Sequence, residues 1–214
     1  MVHKVTKPEG RARGRPRSFD PDEVLDRARA VFWNLGYAAT SLDDIAAATG
    51  LNRPSLYAAF GDKHALYIAA LGRSRAEATG ALDAALQTEA PLRYLLGAIF
   101  DRTVDIYRAG EAGQRGCFLI GTAVTQAVDD PEARELLRTY IAETDALFRD
   151  RFEREAGQLA RGITPEAAGA MASGTIHTLA VRARTGAGEA ELKAVGRAAV
   201  DLICGPSQSV ETSV

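Results

Sequence analysis

The chain has 214 residues and a formal net charge of −2, and 46% of its residues are hydrophobic while 25% are charged. Such a composition is that of a globular chain able to bury a sizeable core, and it excludes a wholly disordered protein. The sequence has no apolar run of the roughly 18 residues that a membrane helix needs, and no apolar leader, so we expect a cytoplasmic protein. Cys117 and Cys204 are too few for a disulfide framework.

The first 18 residues are strongly basic and poor in apolar side chains, which predicts a flexible arm whose partner is a polyanion. Within it, the segment from Arg13 to Pro16 reads RGRP and is similar to the core of an AT-hook, an extended segment that lies in the minor groove of A·T-rich DNA. Arg13, Arg15 and Arg17 are therefore candidate DNA ligands. A nonspecific solubilising tail is the alternative.

A helix is predicted to begin at Pro21, because Asp20 supplies an N-cap, Pro21 suits the first helical position and Glu23 adds an acid to the first turn. Apolar residues then recur at steps of three and four, which indicates one stripe facing a core, and Gly36 ends the helix. The stripe comprises Val24, Leu25, Ala28, Val31, Phe32 and Leu35.

Residues 42–61 carry the spacing of a helix-turn-helix: a small residue at Ala46, a glycine at Gly50 and an apolar residue at Leu56. Gly50 can adopt the positive φ that the turn needs. Ser41 and Asp44 predict a capping box at the start of the first helix of the pair, and Asn52 with Pro54 predicts the start of the second. An ordinary pair of helices joined by a glycine turn is the alternative.

The run from Phe32 to Leu71 resembles the DNA-binding head of the TetR/AcrR family of transcriptional regulators. The resemblance rests on the aromatic and glycine segment 32–37, the turn 46–51 and the series Ser55, Leu56, Tyr57, Phe60 and Lys63. It implies that the helix starting near Arg53 enters the major groove of double-stranded DNA. The pair Ala58 and Ala59 departs from many relatives, so we expect few contacts to bases.

The resemblance and the chemistry of these side chains together predict which residues contact DNA. A guanidinium can donate two hydrogen bonds to guanine, so Arg53 is a candidate for base contact together with Ser55, while Pro54 lies in the same first turn. Tyrosine hydroxyls and lysine ammonium groups suit phosphate oxygens. We therefore expect phosphate contacts from the remaining candidates: Tyr57, Lys63, Thr40 and Ser41.

After the predicted DNA-binding head, the spacing of apolar residues predicts helices throughout the chain. Gly61 and Asp62 precede a helix that runs toward residue 88, and a second one extends from Leu92 toward Tyr107. After a glycine-rich connection over residues 108–116, a short helix is predicted from Cys117 to about Val128. The last three predicted helices begin at Pro131, Pro165 and about Glu189, and the final one ends near Cys204.

The last two helices are rich in alanine and glycine, and small side chains let helices approach closely. The resemblance implies that they form a four-helix bundle with a second copy of the chain, and packing within one chain is the alternative. It also implies a small-molecule effector of unknown identity among the helices after residue 64. Candidate effector contacts, each of which could equally belong to the core, are Phe100, Val104, Tyr107, Phe118, Thr122, Tyr140, Phe148 and His177.

Cys117 follows Arg115 and Gly116, so positive charge near a helix start could lower the pKa of its thiol and make it a redox or electrophile sensor. A buried inert thiol is the alternative. His177 has no second histidine or cysteine at metal-ligand spacing, and no nucleotide, zinc-protease, hydrolase or CxxC motif is present. The sequence therefore predicts no metal, no cofactor and no enzyme.

Together these observations predict an all-α protein in which an N-terminal three-helix helix-turn-helix domain precedes a helical ligand-binding and dimerisation domain. The predicted boundaries are 1–18 for the arm, 19–64 for the DNA-binding domain, 65–205 for the effector and dimerisation domain and 206–214 for a disordered tail. The predicted function is that of a homodimeric repressor, which binds a palindromic operator and is released by an effector without entering a membrane. Two alternatives are thiol-based sensing through Cys117 and an architectural DNA-binding protein.

Overall fold

A computed structural model describes residues 19–109 and 115–206, and all regular structure in these two ranges is helical, as predicted. The N-terminal helices are α1 (Pro21–Leu35), α2 (Leu42–Thr49), α3 (Arg53–Phe60), α4 (Lys63–Leu86) and α5 (Leu92–Arg108). A π-helical turn (Leu119–Ala123) leads into the short α6 (Val124–Gln126). The chain then forms α7 (Pro131–Arg154), α8 (Pro165–Arg184) and α9 (Glu189–Cys204).

Local capping explains where the helices of the N-terminal part begin. Asp20 accepts a hydrogen bond from the amide of Asp22, and Asn52 accepts one from the amide of Ser55. Ser41 and Asp44 form the predicted capping box, in which each side chain bonds the other residue's backbone amide. Each cap satisfies amide donors that a helix start leaves without a partner within the helix.

The first three helices pack on the start of α4 around an apolar core. Phe32 of α1, Ile45 of α2 and Leu56 of α3 are all fully or almost fully buried. The ring of Phe32 lies edge-on to Tyr67 of α4, with 5.1 Å between centroids. Gly50 ends α2 with a φ of +72°, so the turn between α2 and α3 uses the left-handed conformation that glycine adopts most easily.

The remaining helices form a bundle in which α4 and α7 run in parallel. Arg75 contacts Glu143 at 2.8 Å, and further along the pair the buried guanidinium of Arg151 donates to the carbonyl of Leu86 at 3.1 Å. The bundle also contains close approaches at two glycines. A Cβ at Gly169 would lie 2.9 Å from the carbonyl oxygen of Asp145, and one at Gly196 would lie 3.0 Å from Cβ of Phe100. Some of the small residues of α8 and α9 therefore pack within one chain.

The observed helices refine three sequence expectations. The fourth helix, expected to run toward residue 88, ends at Leu86 with Gln87 as its C-cap. The short helix expected from Cys117 to about Val128 is present from Phe118 to Gln126, with Leu119–Ala123 in π-helical conformation. Leu35 does not join the buried stripe of α1 and is 51% exposed, because it lies at the last turn before Gly36.

Three predicted segments lie wholly or partly outside the described residues. They are the basic arm over 1–18 with Arg13, Arg15 and Arg17, residues 110–114 of the glycine-rich connection, and residues 207–214 of the predicted tail. In the two described ranges, no helix combines the length and the apolar character that crossing a membrane requires.

Candidate functional site

The second helix of the helix-turn-helix, α3, has one buried and one exposed side. Leu56 is 1% exposed and fixes α3 against the core, whereas Tyr57 is 51% exposed. Arg53 and Pro54 in the first turn are also exposed, and Ser55 is half-buried. The exposed side therefore presents a guanidinium and a phenol, the two groups that sequence analysis assigned to a base and to a phosphate.

Arg53 is paired within the chain. Its Nε donates to Oδ1 of Asp43 on α2 at 2.6 Å, and its Nη2 donates to Oδ2 of the same carboxylate. This hydrogen bond and the charge of Arg53 hold the pKa of Asp43 below its ordinary value. Both side chains are more than half exposed, so water screens the pair and its contribution to stability is small. The pair sets the direction of the guanidinium and leaves it at the surface.

The loop between α1 and α2 uses two of the residues expected to hold phosphates. Thr40 is 2% exposed, and its hydroxyl donates to the carbonyl of Gly36 at 2.7 Å. Lys63 donates to the carbonyls of Tyr37 and Thr40 at 3.1 and 2.9 Å and lies 4.4 Å from the centre of the Tyr37 ring. The Thr40 hydroxyl is thus engaged inside the loop, and Lys63 uses two of its three N–H donors to hold the same loop.

Ser41 and Tyr57 differ in what they can offer a ligand. The hydroxyl of Ser41 donates to Oδ2 of Asp44 at 2.6 Å, so it is already engaged in the capping box although the residue is exposed. Tyr57 keeps most of its ring at the surface beside Arg53. The exposed side chains of α3 are thus Arg53, Pro54, Tyr57 and Ala58, with Ser55 half-buried beside them.

A cavity of about 590 Å³ lies between α4 and α5 and reaches α1, α7 and α8. This volume is within the range of ligand sites in proteins. Small and apolar residues of α4 and α5 form most of its walls, among them Ala81, Leu82, Ala85, Leu95, Ala98 and Ile99. Its polar groups include Arg29, Glu77, Arg102 and Arg115.

Three of the eight residues predicted to contact an effector line this cavity: Tyr107, Phe118 and Tyr140. The other five do not. Phe100 packs against Gly196, Thr122 bonds Tyr67, and Phe148 and Val104 are buried in the helix core. His177 lies behind Tyr140, with 5.9 Å between the ring centroids, and burial lowers the pKa of its imidazole.

Cys117 also lines the cavity, between the hydroxyls of Tyr107 and Tyr140. Burial raises the pKa of its thiol above the ordinary value, although neighbouring backbone amides and both phenols act in the opposite direction. The sequence expectation that nearby positive charge lowers this pKa is wrong in this conformation, because the thiol is buried and the Arg115 guanidinium stacks on the ring of Trp33. A thiol with a raised pKa is mostly protonated at neutral pH and reacts slowly.

Sequence reasoning missed the residues that join the cavity to the helix-turn-helix. Trp33 belongs to α1 and lines the cavity. Its Nε1 donates to the carbonyl of Arg115 at 2.8 Å, and the Arg115 guanidinium lies 4.2 Å from the centre of the Trp33 ring. Phe118 also packs against Trp33, with 5.7 Å between the ring centroids. The pairing of Trp33 with a residue 82 positions later left no signal in the local sequence pattern.

Glu77 is the one acidic side chain among the residues that line the cavity in the described part of the chain. Burial would raise the pKa of its carboxyl, but hydrogen bonds and charge from Arg29 and Arg73 outweigh burial and lower it. Glu77 is therefore ionised and already neutralised by its two partners.

The outer sides of α8 and α9 carry small and apolar residues at the surface. On α8, Ala170, Thr178 and Val181 are exposed and Gly174 is half-buried, and these positions share one side of the helix. On α9, Leu202 is 61% exposed next to the exposed Ala198. The predicted dimerisation helices thus have an uncovered apolar side in addition to their packing within the chain.

Comparison with known proteins identifies the family of this chain. The sequence profile described as "Bacterial regulatory proteins, tetR family" matches residues 24–70, which span the helix-turn-helix. The solved structure of the TetR family transcriptional regulator CifR, a cysteine mutant complexed with 26 bp double-strand operator DNA, is 30% identical with a TM-score of 0.72. The match covers 87% of this chain and 98% of that one. The chain belongs to the TetR family.

The chain is also similar to two HTH-type transcriptional repressors. The HTH-type transcriptional repressor ComR of Escherichia coli K12 is 33% identical over 140 residues, which are 65% of this chain and 66% of ComR. The repressor BdcR of the same organism is 29% identical over 160 residues, or 75% of this chain and 79% of BdcR. The chain thus spans just under two thirds of the length of ComR. As a member of the TetR family, it is a regulatory protein.

Proposed function

We propose that this protein is a transcriptional repressor that binds a palindromic operator in double-stranded DNA as a homodimer and is released by a small molecule. The observation that carries the proposal is the exposed side of α3, where Arg53 and Tyr57 project from a helix that Leu56 fixes to the core. A helix held in this way can enter the major groove while neighbouring residues contact phosphates. ComR and BdcR are named as repressors, and CifR was solved with operator DNA.

The proposal divides the chain as the sequence predicted. Residues 19–64 would bind DNA. Residues 65–205 would bind the effector in the cavity between α4 and α5, and would contact the second copy through the exposed sides of α8 and α9. Two copies related by a two-fold axis would present their α3 helices to successive major grooves. The basic arm over residues 1–18 would add affinity that falls with rising salt. The protein would act beside the chromosome in the cytoplasm, as a regulator and not as an enzyme.

The test is selection from a pool of random duplexes at moderate ionic strength with the purified full-length protein. We expect one enriched palindrome whose half-site centres are about 34 Å, one helical turn, or a multiple of it apart. Footprinting across the genome would then locate the operator, and a reporter under its control would distinguish repression from activation. Enrichment of no site, with broad coating of DNA, would favour an architectural protein and overturn the proposal.

A further inference from the structure

The cavity between α4 and α5 has two chemically different ends. Because α4 and α7 run in parallel, with Arg75 beside Glu143, Tyr140 of α7 lies near the Ser74–Glu77 region of α4. Tyr107 and Cys117 are close to Tyr140, so three neutral hydrogen-bonding groups meet at this end of the cavity. We call this the head end, since Trp33 of α1 also lies there.

The cavity wall also carries more positive charge at the head end than elsewhere. Arg102 of α5 lines the cavity and precedes Tyr107 by five residues, so its backbone lies about 7.5 Å along the helix axis from this residue of the head end. Arg115 lies over Trp33 at the same end. Within residues 19–109 and 115–206, no carboxylate oxygen lies within 4.0 Å of the Arg102 or Arg115 guanidinium. Glu77, the acidic residue of the cavity wall in these ranges, is paired with Arg29 and Arg73 instead. The wall therefore has an excess of positive charge at one end.

The rest of the cavity is a groove lined by methyl and methylene groups. Ala81, Leu82 and Ala85 form its α4 side, and Leu95, Ala98 and Ile99 form its α5 side. At 1.5 Å per residue, the stretch of α4 from Ser74 to Ala85 makes the whole cavity, head end included, about 16 Å long. An elongated apolar groove that ends in cations and hydroxyl donors fits a molecule with an apolar chain and one anionic group.

We propose that the cavity binds an amphipathic organic acid, with its carboxylate at the head end near Arg102, Arg115 and Tyr140 and its alkyl chain in the groove. The inference takes the cavity to be the effector site of the proposed function and names the chemical class of the effector. The ligand would touch Trp33 directly, and Trp33 is part of the helix that packs under the helix-turn-helix. Occupation of the cavity thus has a direct route to the DNA-binding helices.

Trp33 is the sole tryptophan of the chain, so its fluorescence reports binding at the cavity without a label. The full-length protein is titrated with dodecanoate below its micelle concentration, and with dodecanol, dodecyltrimethylammonium and butyrate as matched probes. We expect saturable binding of dodecanoate with a Kd at least about tenfold lower than that of each other probe, because the charged hydrogen bonds and the buried chain both contribute. Equal binding of dodecanol, tighter binding of the ammonium, or binding of none of the four would overturn the inference.

Two variants locate the ligand. Arg102→Met should raise the Kd of dodecanoate about tenfold and leave that of dodecanol unchanged, since only the anion loses a partner. Ala98→Phe, which fills the groove, should weaken dodecanoate but not butyrate. Arg161→Met, at an exposed position in the connection between α7 and α8, is the matched control, and circular dichroism checks that each variant folds. Unchanged dodecanoate binding in both cavity variants would contradict the assigned position.

Binding of the selected operator is measured on the same samples, so that the two proposals fail separately. If the protein binds its operator but does not bind dodecanoate, only the proposed ligand class is overturned. A protein that binds dodecanoate but selects no DNA site overturns the proposed repressor and leaves the cavity assignment standing.

Discussion

His64, at the start of α4, contacts Asp130, the N-cap of α7, with 2.8 Å between Nε2 and Oδ2. Asp130 also accepts hydrogen bonds from the amides of Glu132 and Ala133. One carboxylate therefore caps α7 and ties it to the helix that follows the helix-turn-helix. Burial would raise the pKa of Asp130, but these amides and His64 outweigh burial, and the pKa lies below its ordinary value.

Asp130→Ala should lower the free energy of unfolding by about 1–2 kcal/mol, the usual cost of losing a helix N-cap. Because the pKa of Asp130 is lower in the folded state, its stabilisation is present above the unfolded pKa of about 3.9 and is lost as pH falls through the folded pKa. Urea unfolding at pH 7 and at pH 3 measures both effects. We expect the difference between wild type and variant to shrink at pH 3, and an equal difference at both values would contradict the role of the charge.

Arg53→Ala should weaken binding to the selected operator by roughly 5- to 150-fold while changing affinity for a scrambled duplex much less, because only a base contact carries sequence preference. Fluorescence anisotropy at one fixed salt concentration compares the two duplexes. Asp43→Ala, which removes the partner of Arg53 but keeps the guanidinium, should retain discrimination between them. An equal loss of affinity on both duplexes for Arg53→Ala would show that Arg53 contacts only the DNA backbone.

Gly50→Ala should lower the free energy of unfolding by about 1–2 kcal/mol, because a Cβ disfavours the left-handed conformation at φ +72°. Nothing lies within 4 Å of that added Cβ, so the cost is conformational and not steric. Gly80 lies inside α4 with the same open surroundings but without a positive φ. Gly80→Ala should therefore raise stability by about 0.5–1 kcal/mol in the same urea experiment. The same sign for both substitutions would contradict this explanation.

Cys117 should react slowly with iodoacetamide at pH 7, because burial raises the pKa of its thiol and restricts access. In a Cys204→Ser background, mass spectrometry of the folded protein should show alkylation about tenfold or more slower than in urea. The double variant lacking both thiols gives the background. Alkylation as fast in the folded protein as in urea would revive the thiol-sensing alternative.

The sequence by itself determined where most helices begin and end. Asp20, Ser41, Asn52 and Asp130 act as N-caps through atoms no more than three residues away, so short-range pattern was enough to find them. The helix-turn-helix could also be predicted from local sequence, because its turn depends on Gly50 and its core on the nearby Ile45 and Leu56.

Only the tertiary structure decided which side chains are available for function. Five of the eight predicted effector contacts do not line the cavity between α4 and α5, since helical spacing marks a buried side but not the cavity within it. The pairing of Trp33 with Arg115, and the burial that raises the pKa of Cys117, join segments far apart in the chain. Contacts at such separations depend on how the helices pack, and no local pattern specifies that packing.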